Sequence, residues 1–301
     1  MIHRVVAVFV CLLLLPPPAF PWGNRGHRIV ALIAAKNLST TAQNKVAAIL
    51  GTNVNGLAGA MAAAATWPDE IRKDDTKTGA WHYVDAPVTA SFLAFCPRQE
   101  CVIDRIQEMA NRLMANQKGF KLAKAPNPPR PMTSQELAFL IHFLGDIHQP
   151  LHAANNGDRG GNCVGLTTPL PHSDQSQTKD LHAAWDVDEV LAVLKILGTE
   201  NAAATALFQK SRTEPVQQLT VLDWARESNG LARQHVYQKL QIPPHTAPPG
   251  QCAAGIANVK VTQQYLDGNE PVVERQLLRA GIRLSNLLNQ ICTAAGCKAK
   301  P

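Results

Sequence analysis

Residues 134–152, SQELAFLIHFLGDIHQPLH, carry the clearest helical pattern in the chain. Thr133 and Glu136 match a capping box, in which each side chain accepts a hydrogen bond from a backbone N–H group at the start of a helix. Apolar residues recur at helical spacing, which predicts a helix buried on most sides: Leu137, Leu140, Ile141, Leu144 and Ile147. Pro150 predicts the end of this helix, because proline cannot donate a backbone hydrogen bond and restricts the residue before it.

Two polar side chains lie within this apolar helix. His142 and Asp146 are four residues apart and share one face, about 5–6 Å apart at Cβ, and His152 follows Pro150. A buried charge without a partner is very unfavourable. Two interpretations are open: a buried Asp–His pair that satisfies itself, or part of a metal site whose other ligands come from elsewhere.

The rest of the chain predicts further helices joined by loops. With 301 residues, 46% of them hydrophobic, it can bury a sizeable core. Helical periodicity predicts helices at Gly26–Asn37, Thr40–Leu50, Ala58–Ala65, Cys101–Gln117, Lys179–Leu197, Ala202–Gln209, Pro215–Leu240, Val259–Leu266 and Pro271 to about Ile291. Residues 155–178 are rich in Gly, Ser, Thr and Pro and are interpreted as a long surface loop. Strand signals are scarce, so we predict one all-α domain over residues 22–301.

The first residues have the pattern of a secretory signal. His3 and Arg4 precede an apolar run at residues 5–15, and PPPAFP follows, so residues 1–21 are predicted to be a signal peptide. The apolar run is too short to span a bilayer, and no other stretch of the sequence is long enough. These features indicate a secreted or periplasmic protein without a membrane anchor after signal removal.

Cysteine usage agrees with export. Once Cys11 has left with the signal, an even set of six remains, which suggests disulfides. CPRQEC and CTAAGC favour two local bridges, Cys96–Cys101 and Cys292–Cys297, which leaves Cys163–Cys252 by elimination. Six cysteines allow fifteen pairings, so other connectivities stay open.

The charge of the chain is compatible with a polyanionic partner without requiring one. The formal net charge is +6, and the sequence has no Lys/Arg-rich run and no aromatic stripe typical of a sheet-type RNA binder. Mild basicity alone therefore identifies no partner.

Further metal-binding residue types occur in four other motifs. DLHAAWD repeats the spacing of histidine and aspartate seen in the central helix, with His182 and Asp186. WGNRGH, WPDEIR and WHYVDA supply His27, Asp69, His82 and Asp85. Imidazole and carboxylate ligands without thiolate are typical of zinc held for catalysis. These ligands are too many for one zinc ion, which takes four.

The ordered set WGNRGH, TWPDEIR, WHYVDA, HFLGDIHQPLH, GDRGGN and DLHAAWD resembles the S1/P1 nuclease family. The resemblance covers residues 22–186, and its spacing H-x3-D-x5-H…H-x3-D is highly specific. It implies a single mainly helical domain of the zinc-dependent phospholipase C and nuclease type. It also implies a secreted, zinc-dependent nuclease and 3′-nucleotidase.

Carried over residue by residue, the resemblance implies three zinc ions per chain. The first would be held by Asp69, His82, His142 and Asp146. The second would be held by His152, His182 and Asp186. The third would be held by His27, by the bridging Asp146, and by the free amino group and carbonyl of Trp22, if the signal is cleaved after Pro21.

The resemblance also implies the catalytic and substrate-binding residues. A zinc-activated hydroxide would attack phosphorus in line, with Asp69 orienting it and Arg72 facing the phosphate. Tyr83 would stack on a base, Asp85 would bind the base edge, and Asn162 would lie at the rim of that pocket. The implied substrates are single-stranded RNA and DNA, cleaved to 5′-phosphorylated products, and 3′-nucleotides; no stable protein partner is implied. One departure is Asp180, where the family more often has asparagine.

Two alternatives stay open. Zinc-dependent phospholipase C has a related three-zinc site and acts on phospholipid headgroups; Tyr83 and Asp85 argue against it, as does the lack of an evident membrane-binding helix. A non-enzymatic zinc-binding protein is the other alternative, and Arg72 argues against it because zinc storage needs no anion-binding arginine. His148, His172, His235 and His245 match no motif and are not expected to be ligands.

Overall fold

A computed structural model describes residues 22–88, 96, 99–114, 132–174 and 176–293. The predicted signal peptide lies outside these residues. Within them the chain is mainly helical, which confirms the predicted fold class. The α-helices are α1 (Gly23–Lys36), α2 (Thr40–Ile49), α3 (Leu57–Ala64), α4 (Trp67–Ile71), α5 (Val102–Met114), α6 (Ser134–Asp146), α7 (Leu181–Ala183), α8 (Glu189–Leu197), α9 (Glu200–Lys210), α10 (Val221–Leu231), α11 (Gln263–Asp267) and α12 (Glu270–Thr293).

Shorter helical turns continue several of these elements. Turns of 3-10 helix occupy Val54–Gly56, Thr76–His82 and Pro150–Ala153. Two π-helical turns, Ala184–Asp188 and Ala232–Gln238, follow α7 and α10. Such turns occur often at functional sites, and here two of the 3-10 turns and one π turn carry predicted ligands.

The core is built around α12, which packs against α1, α2, α5, α6, α8 and α9. Gly281 of α12 lies against α1, where a Cβ atom would come within 2.5 Å of Ile33 Cβ and 3.1 Å of the Val30 carbonyl oxygen. Only glycine allows this approach of the two helices. This close packing against α12 positions α1, which carries His27 next to α6.

Helix α6 begins as predicted. The Thr133 hydroxyl accepts a hydrogen bond from the Glu136 N–H group, and the Glu136 carboxylate accepts one from Thr133, so the capping box is confirmed. The predicted apolar face is buried throughout. The α-helix ends at Asp146, however, before Pro150. The proline disfavours helical geometry at Gln149, which is extended, and Pro150 instead opens the 3-10 turn that places His152.

The predicted loop at residues 155–178 is partly wrong. Strand β1 (Gly165–Pro171) pairs antiparallel with strand β2 (Gln177–Asp180). The two strands are neighbours in sequence, and Leu166 of β1 is also bridged to the distant Val259. The residue pattern of one segment does not show which segment it pairs with, because the backbone hydrogen bonds form only between segments that the fold brings together.

Three predicted helices begin two or more residues later than predicted. The helix predicted to begin at Lys179 begins at Leu181, because Asp180 ends β2 and its side chain accepts a hydrogen bond from Ala183 N–H at the helix start. The helix predicted from Pro215 begins only at Val221, after a capping box of Thr220 and Asp223. The helix predicted from Val259 is limited to α11, because the backbone of Val259 bonds to that of Gly165 and Thr167.

Disulfide predictions agree with the described residues. The Cys96–Cys101 and Cys163–Cys252 bridges are both present, with Cα–Cα distances of 5.1 and 5.9 Å. Cys292 is also disulfide-bonded, while Cys297 lies outside the described residues. In the part of the chain that the structure describes, no single helix is both long and apolar enough to cross a membrane, although two bent helix pairs reach those limits when taken together.

Candidate metal centre

The carboxylate of Asp146, at the end of α6, is the point on which several elements converge. Its Oδ2 atom lies 3.0 Å from His82 Nδ1 and 3.2 Å from His142 Nε2. Asp69 Oδ1, on α4, lies 3.8 and 3.7 Å from the same two nitrogen atoms. On the other side, Asp146 Oδ1 is 3.5 Å from His27 Nε2 of α1. All five side chains are buried, so distant segments form one enclosed cluster.

A second cluster lies beside the first and consists of His152, His182 and Asp186. His182 Nε2 is 3.2 Å from Asp186 Oδ2, because the α7 turn and the following π turn place the two residues on one face. His152 Nε2 is 3.9 Å from Asp186 Oδ1, and its Nδ1 atom is 3.5 Å from Asp146 Oδ1. Asp146 and His152 therefore join the two clusters.

Backbone carbonyl groups orient three of the histidine rings. The Nδ1 atom of His142 is 2.7 Å from the Ala65 oxygen, that of His152 is 2.8 Å from the His82 oxygen, and that of His182 is 2.6 Å from the Gly160 oxygen. Each carbonyl oxygen accepts a hydrogen bond from Nδ1–H and leaves the Nε2 lone pair free to bind a cation, which is the usual outer-shell arrangement of metal-binding histidines. His82 and His27 are exceptions: the Nδ1 atom of His82 faces the cluster, and neither ring nitrogen of His27 has a hydrogen-bond partner among the described residues.

Several buried polar atoms of these clusters have no hydrogen-bond partner within the described part of the chain. They are both carboxylate oxygens of Asp69, both ring nitrogens of His27, His82 Nε2, Asp146 Oδ1, His152 Nε2 and Asp186 Oδ2. Buried polar atoms are nearly always satisfied in native proteins, and isolated buried carboxylates are especially unfavourable. Positively charged metal ions would satisfy this donor set, and imidazole with carboxylate is the set that zinc prefers.

The electrostatics of these side chains also favour positive charge in the two clusters. Burial alone would raise the pKa of Asp146, but His142 and the other neighbouring imidazoles hold it well below its usual range. Burial likewise would lower the pKa of His142, yet Asp146 and Asp69 raise it to about 9. Burial raises the pKa of Asp69 to about 7. Protons on imidazole thus balance the buried carboxylates where cations would otherwise do so.

The structure places Trp22 beside the second cluster. Its side chain is buried, and its backbone N–H group donates a 2.8 Å hydrogen bond to Asp186 Oδ1. His27, predicted to share a zinc ion with Trp22 and Asp146, lies next to Asp146 in the first cluster. The segment 22–27 therefore spans both clusters, and the predicted third ligand set stays a prediction.

A pocket of about 420 Å³ opens next to the clusters. His82, His152 and His182 form part of its wall, and all of the predicted substrate-binding residues line it as well: Arg72, Tyr83, Asp85 and Asn162. Arg72 Nη2 lies 3.9 Å from Asp69 Oδ1, which places the guanidinium at the metal end. Tyr83 is 41% exposed, so its ring face is accessible to a ligand. Asp85 accepts a hydrogen bond from Asn155 Nδ2.

Two residues near the site were not predicted from the sequence. Gln149 is fully buried and its Nε2 group donates a 2.7 Å hydrogen bond to Asp186 Oδ1. Arg159 also lines the pocket, and it lies in the loop between the Pro150–Ala153 turn and strand β1. Gln149 lies in the motif HFLGDIHQPLH and Arg159 in GDRGGN. Their position inside these two motifs is the sequence signal that could have identified them.

The four histidines not expected to be ligands lie outside both clusters. His148, for example, is buried with its Nδ1 atom 2.7 Å from the Leu144 oxygen and its Nε2 atom 2.9 Å from Arg283 Nη1. Asp180, the departure from the family pattern, caps α7 through its side chain. A further cysteine-containing group, Cys96 with Cys101 and Asp104, offers no thiolate because its two sulfurs are bonded to each other.

Comparison with known proteins agrees with this geometry. A family model described as S1/P1 Nuclease matches residues 22–293. Endonuclease 3 of Arabidopsis thaliana is 28% identical over 300 residues, covering 92% of this chain and 90% of that protein. Nuclease S1 of Aspergillus oryzae is 26% identical and covers 96% of this chain and 98% of its own length. Nuclease P1 of Penicillium citrinum is 26% identical, with 90% and 97% covered.

Proposed function

The chain belongs to the S1/P1 nuclease family, and we propose that it hydrolyses phosphodiester bonds of single-stranded RNA and DNA. Its products would carry 5′-phosphates, and it would also release phosphate from 3′-nucleotides. The observation that carries this proposal is one pocket that joins a histidine–aspartate centre, an arginine and an accessible aromatic ring with an adjacent carboxylate.

Three zinc ions are proposed as the cofactor. Asp69, His82, His142 and Asp146 would hold the first, and His152, His182 and Asp186 the second. His27, Asp146 and a free amine at Trp22 would hold the third. Bound zinc ions supply Lewis acidity, which lowers the pKa of water to near neutrality and compensates negative charge on phosphate oxygens. The unpaired donor atoms of the described clusters support this assignment.

The residues of the chain supply the positioning and proton-accepting groups. Asp69 has two buried oxygens without hydrogen-bond partners among the described residues, so its carboxylate can orient the attacking water and accept its proton. Arg72, at the metal end of the pocket, presents a planar guanidinium suited to the charge that develops on phosphate. These two side chains lie 3.9 Å apart at their nearest polar atoms, within reach of one phosphate group.

Substrate recognition would rest on Tyr83, Asp85 and Asn162. A base can stack on the exposed face of Tyr83, and the Asp85 carboxylate can accept a hydrogen bond from a base edge. Asn162 holds the rim through a 2.8 Å hydrogen bond from its Nδ2 group to the Arg159 oxygen. A base can enter such a pocket only when it is unstacked and unpaired, which favours single strands.

Export supports the same proposal. The disulfides of the described chain fit an oxidising compartment, and the predicted signal peptide fits secretion or the periplasm. An extracellular or periplasmic nuclease with this site would degrade nucleic acid outside the cytoplasm.

The test is a parallel assay of the zinc-loaded protein. We expect cleavage of single-stranded DNA and RNA, at least about tenfold slower cleavage of a matched duplex, and phosphate release from a 3′-nucleotide. The variant D69N should lower the turnover of all three reactions, since the carboxylate serves the common step. Hydrolysis of phosphatidylcholine without cleavage of nucleic acid would instead establish the phospholipase C alternative.

A further inference from the structure

Arg159 is a second cation in the substrate pocket. It is exposed, and it lines the same pocket as Arg72, Tyr83 and Asp85. Arg72 lies next to Asp69 at the metal end. Arg159 comes from a different segment, the loop that runs from the His152 turn toward β1. The two guanidinium groups are therefore held by independent parts of the fold.

The backbone at Arg159 has an unusual conformation for an arginine. Its φ angle is 56°, and three glycines of the same loop also have positive φ angles: Gly157, Gly160 and Gly161. This left-handed geometry is unfavourable for a residue with a Cβ atom, whereas glycine adopts it freely. A loop that already contains three such glycines keeps an arginine at the fourth position, which points to a use for its side chain.

The loop that carries Arg159 is anchored at two points that follow this residue. The Gly160 oxygen accepts the 2.6 Å hydrogen bond from His182 Nδ1, and a Cβ atom at Gly160 would come within 2.5 Å of the Leu151 oxygen. The Cys163–Cys252 disulfide is the second anchor. The α-carbon of Arg159 therefore has a defined place relative to the metal centre.

The charge of Arg159 acts on the part of the pocket proposed to hold the base. Burial raises the pKa of Asp85, and the positive charge of Arg159 opposes that rise. Both arginines line this pocket together with Tyr83, and Arg72 Nη2 lies 3.9 Å from Asp69 Oδ1 at the metal end.

We infer that Arg159 binds the 5′-phosphate of the nucleotide whose base lies between Tyr83 and Asp85. This inference rests on the proposed function, in which the same nucleotide carries the scissile phosphate on its 3′ oxygen near Arg72. A polynucleotide has both phosphates and engages both arginines. A simple 3′-nucleotide lacks the 5′-phosphate and engages only one, so Arg159 makes the site favour polynucleotides over mononucleotides.

Two small substrates test this directly, a nucleoside 3′,5′-bisphosphate and the corresponding nucleoside 3′-monophosphate. Release of the 3′-phosphate is measured with the zinc-loaded enzyme for the wild type, R159Q and R159K. We expect R159Q to lower kcat/KM for the bisphosphate by about tenfold, mainly through KM, as loss of one charge-assisted contact predicts. The loss should be at least about five times larger than that for the monophosphate, and R159K should recover part of it.

Polynucleotide cleavage and a matched variant complete the test. For a single-stranded oligonucleotide, R159Q should weaken the salt dependence of kcat/KM by about 0.7 in log–log slope, the value for one phosphate contact. R212Q removes the same charge from an exposed arginine in the turn after α9, outside the pocket, and should match the wild type on all substrates.

The outcomes separate the two proposals. If the wild type is active and R159Q lowers kcat/KM for bisphosphate and monophosphate equally, or lowers neither, the assignment of Arg159 is wrong while the proposed function stands. If the wild type hydrolyses none of these nucleic-acid substrates, the proposed function is wrong and the assignment falls with it.

Discussion

The Asp186 carboxylate illustrates how single side chains prepare the site. Its Oδ1 atom accepts two hydrogen bonds, from the backbone of Trp22 and from Gln149 Nε2. Its Oδ2 atom is left facing His182 Nε2. Gln149 also accepts a hydrogen bond from Leu151 N–H, which fixes its amide group. Gln149 is thus a positioning residue for the second cluster, because it determines which Asp186 oxygen remains available.

The variant Q149E tests this role at the scale of one residue. It replaces a donor by a second carboxylate of the same size beside Asp186, so the oxygen loses its partner and meets like charge. We expect zinc affinity of the second cluster to fall about 10–100-fold, the usual effect of losing an outer-shell contact, with kcat falling in parallel. The metal content of the variant after dialysis against buffered zinc measures this fall in zinc affinity.

A control variant separates the loss of the Gln149 contact from the general effect of one added negative charge. The variant Q218E introduces the same charge at an exposed glutamine before α10 and should retain wild-type metal content. Retention of full zinc content by Q149E would show that Asp186 is oriented by Trp22 and the helix alone.

At the scale of elements, α8 begins with a buried acidic side chain. Glu189 is inaccessible to solvent, and its Oε1 atom accepts a 3.0 Å hydrogen bond from Asn269, which precedes α12. Its other oxygen has no hydrogen-bond partner within the described chain. Burial raises the pKa of Glu189 from its ordinary 4.5 to about 8, although the Asn269 contact lowers it. The junction of α8, α11 and α12 therefore favours a protonated carboxyl.

This pKa shift predicts a pH dependence of stability. The unfolded chain releases the Glu189 proton at its ordinary pKa of 4.5, whereas the folded chain keeps it to about pH 8. The stabilisation that results from the raised pKa of Glu189 is fully present below pH 4.5 and is lost as the pH rises from 4.5 to about 8. The free energy of unfolding of the wild type should thus fall relative to that of E189Q, with each pKa unit worth about 1.4 kcal/mol.

Urea unfolding of both proteins at intervals from pH 5 to pH 8 measures this difference. Other titrating groups cancel in the comparison of the two curves. E214Q, which removes a carboxylate from an exposed position in the turn after α9, serves as the control and should give a constant difference. If the difference in free energy of unfolding between the wild type and E189Q is also constant with pH, Glu189 is not protonated in the folded protein.

At the scale of the whole molecule, the metal centre joins segments from across the sequence. Its candidate ligands come from α1, α4, the 3-10 turn before Tyr83, α6, the turn after Pro150, and the α7 segment. Without metal ions, the charges of three buried aspartates would be balanced by imidazole protons, by hydrogen bonds and, beside Asp69, by Arg72: Asp69, Asp146 and Asp186. Removal of metal should therefore loosen the molecule as well as abolish catalysis.

Chelation gives the measurement. An ion present at about a thousand times its Kd contributes about 4 kcal/mol of stability, so its removal from a domain of this size should lower Tm by about 10 °C. Calorimetry before and after treatment with a chelator measures the shift, and zinc should restore Tm and nuclease activity together. A chelated protein that is inactive but has an unchanged Tm would show that the ligands are preorganised without metal.

The sequence alone determined the helical class and the side chains that meet at the site. Helical periodicity, the capping box at Thr133 and the His–Asp spacing are local patterns, and they act over one to four residues whatever the rest of the chain does. The same local chemistry predicted the Cys96–Cys101 bridge across five residues. The family resemblance, carried by the ordered motifs, indicated Arg72, Tyr83, Asp85 and Asn162, which the structure brings to one pocket.

Only the tertiary structure decided the contacts between distant segments. The β1–β2 hairpin replaced part of a predicted loop because β1 finds its backbone partners in β2 and at Val259. Trp22 meets Asp186 across 164 positions of sequence, and Gln149 and Arg159 acquired their roles through neighbours that no local pattern specifies. Such contacts depend on which helices pack together, and packing is set by burial over the whole core rather than by the residues beside each position in the chain.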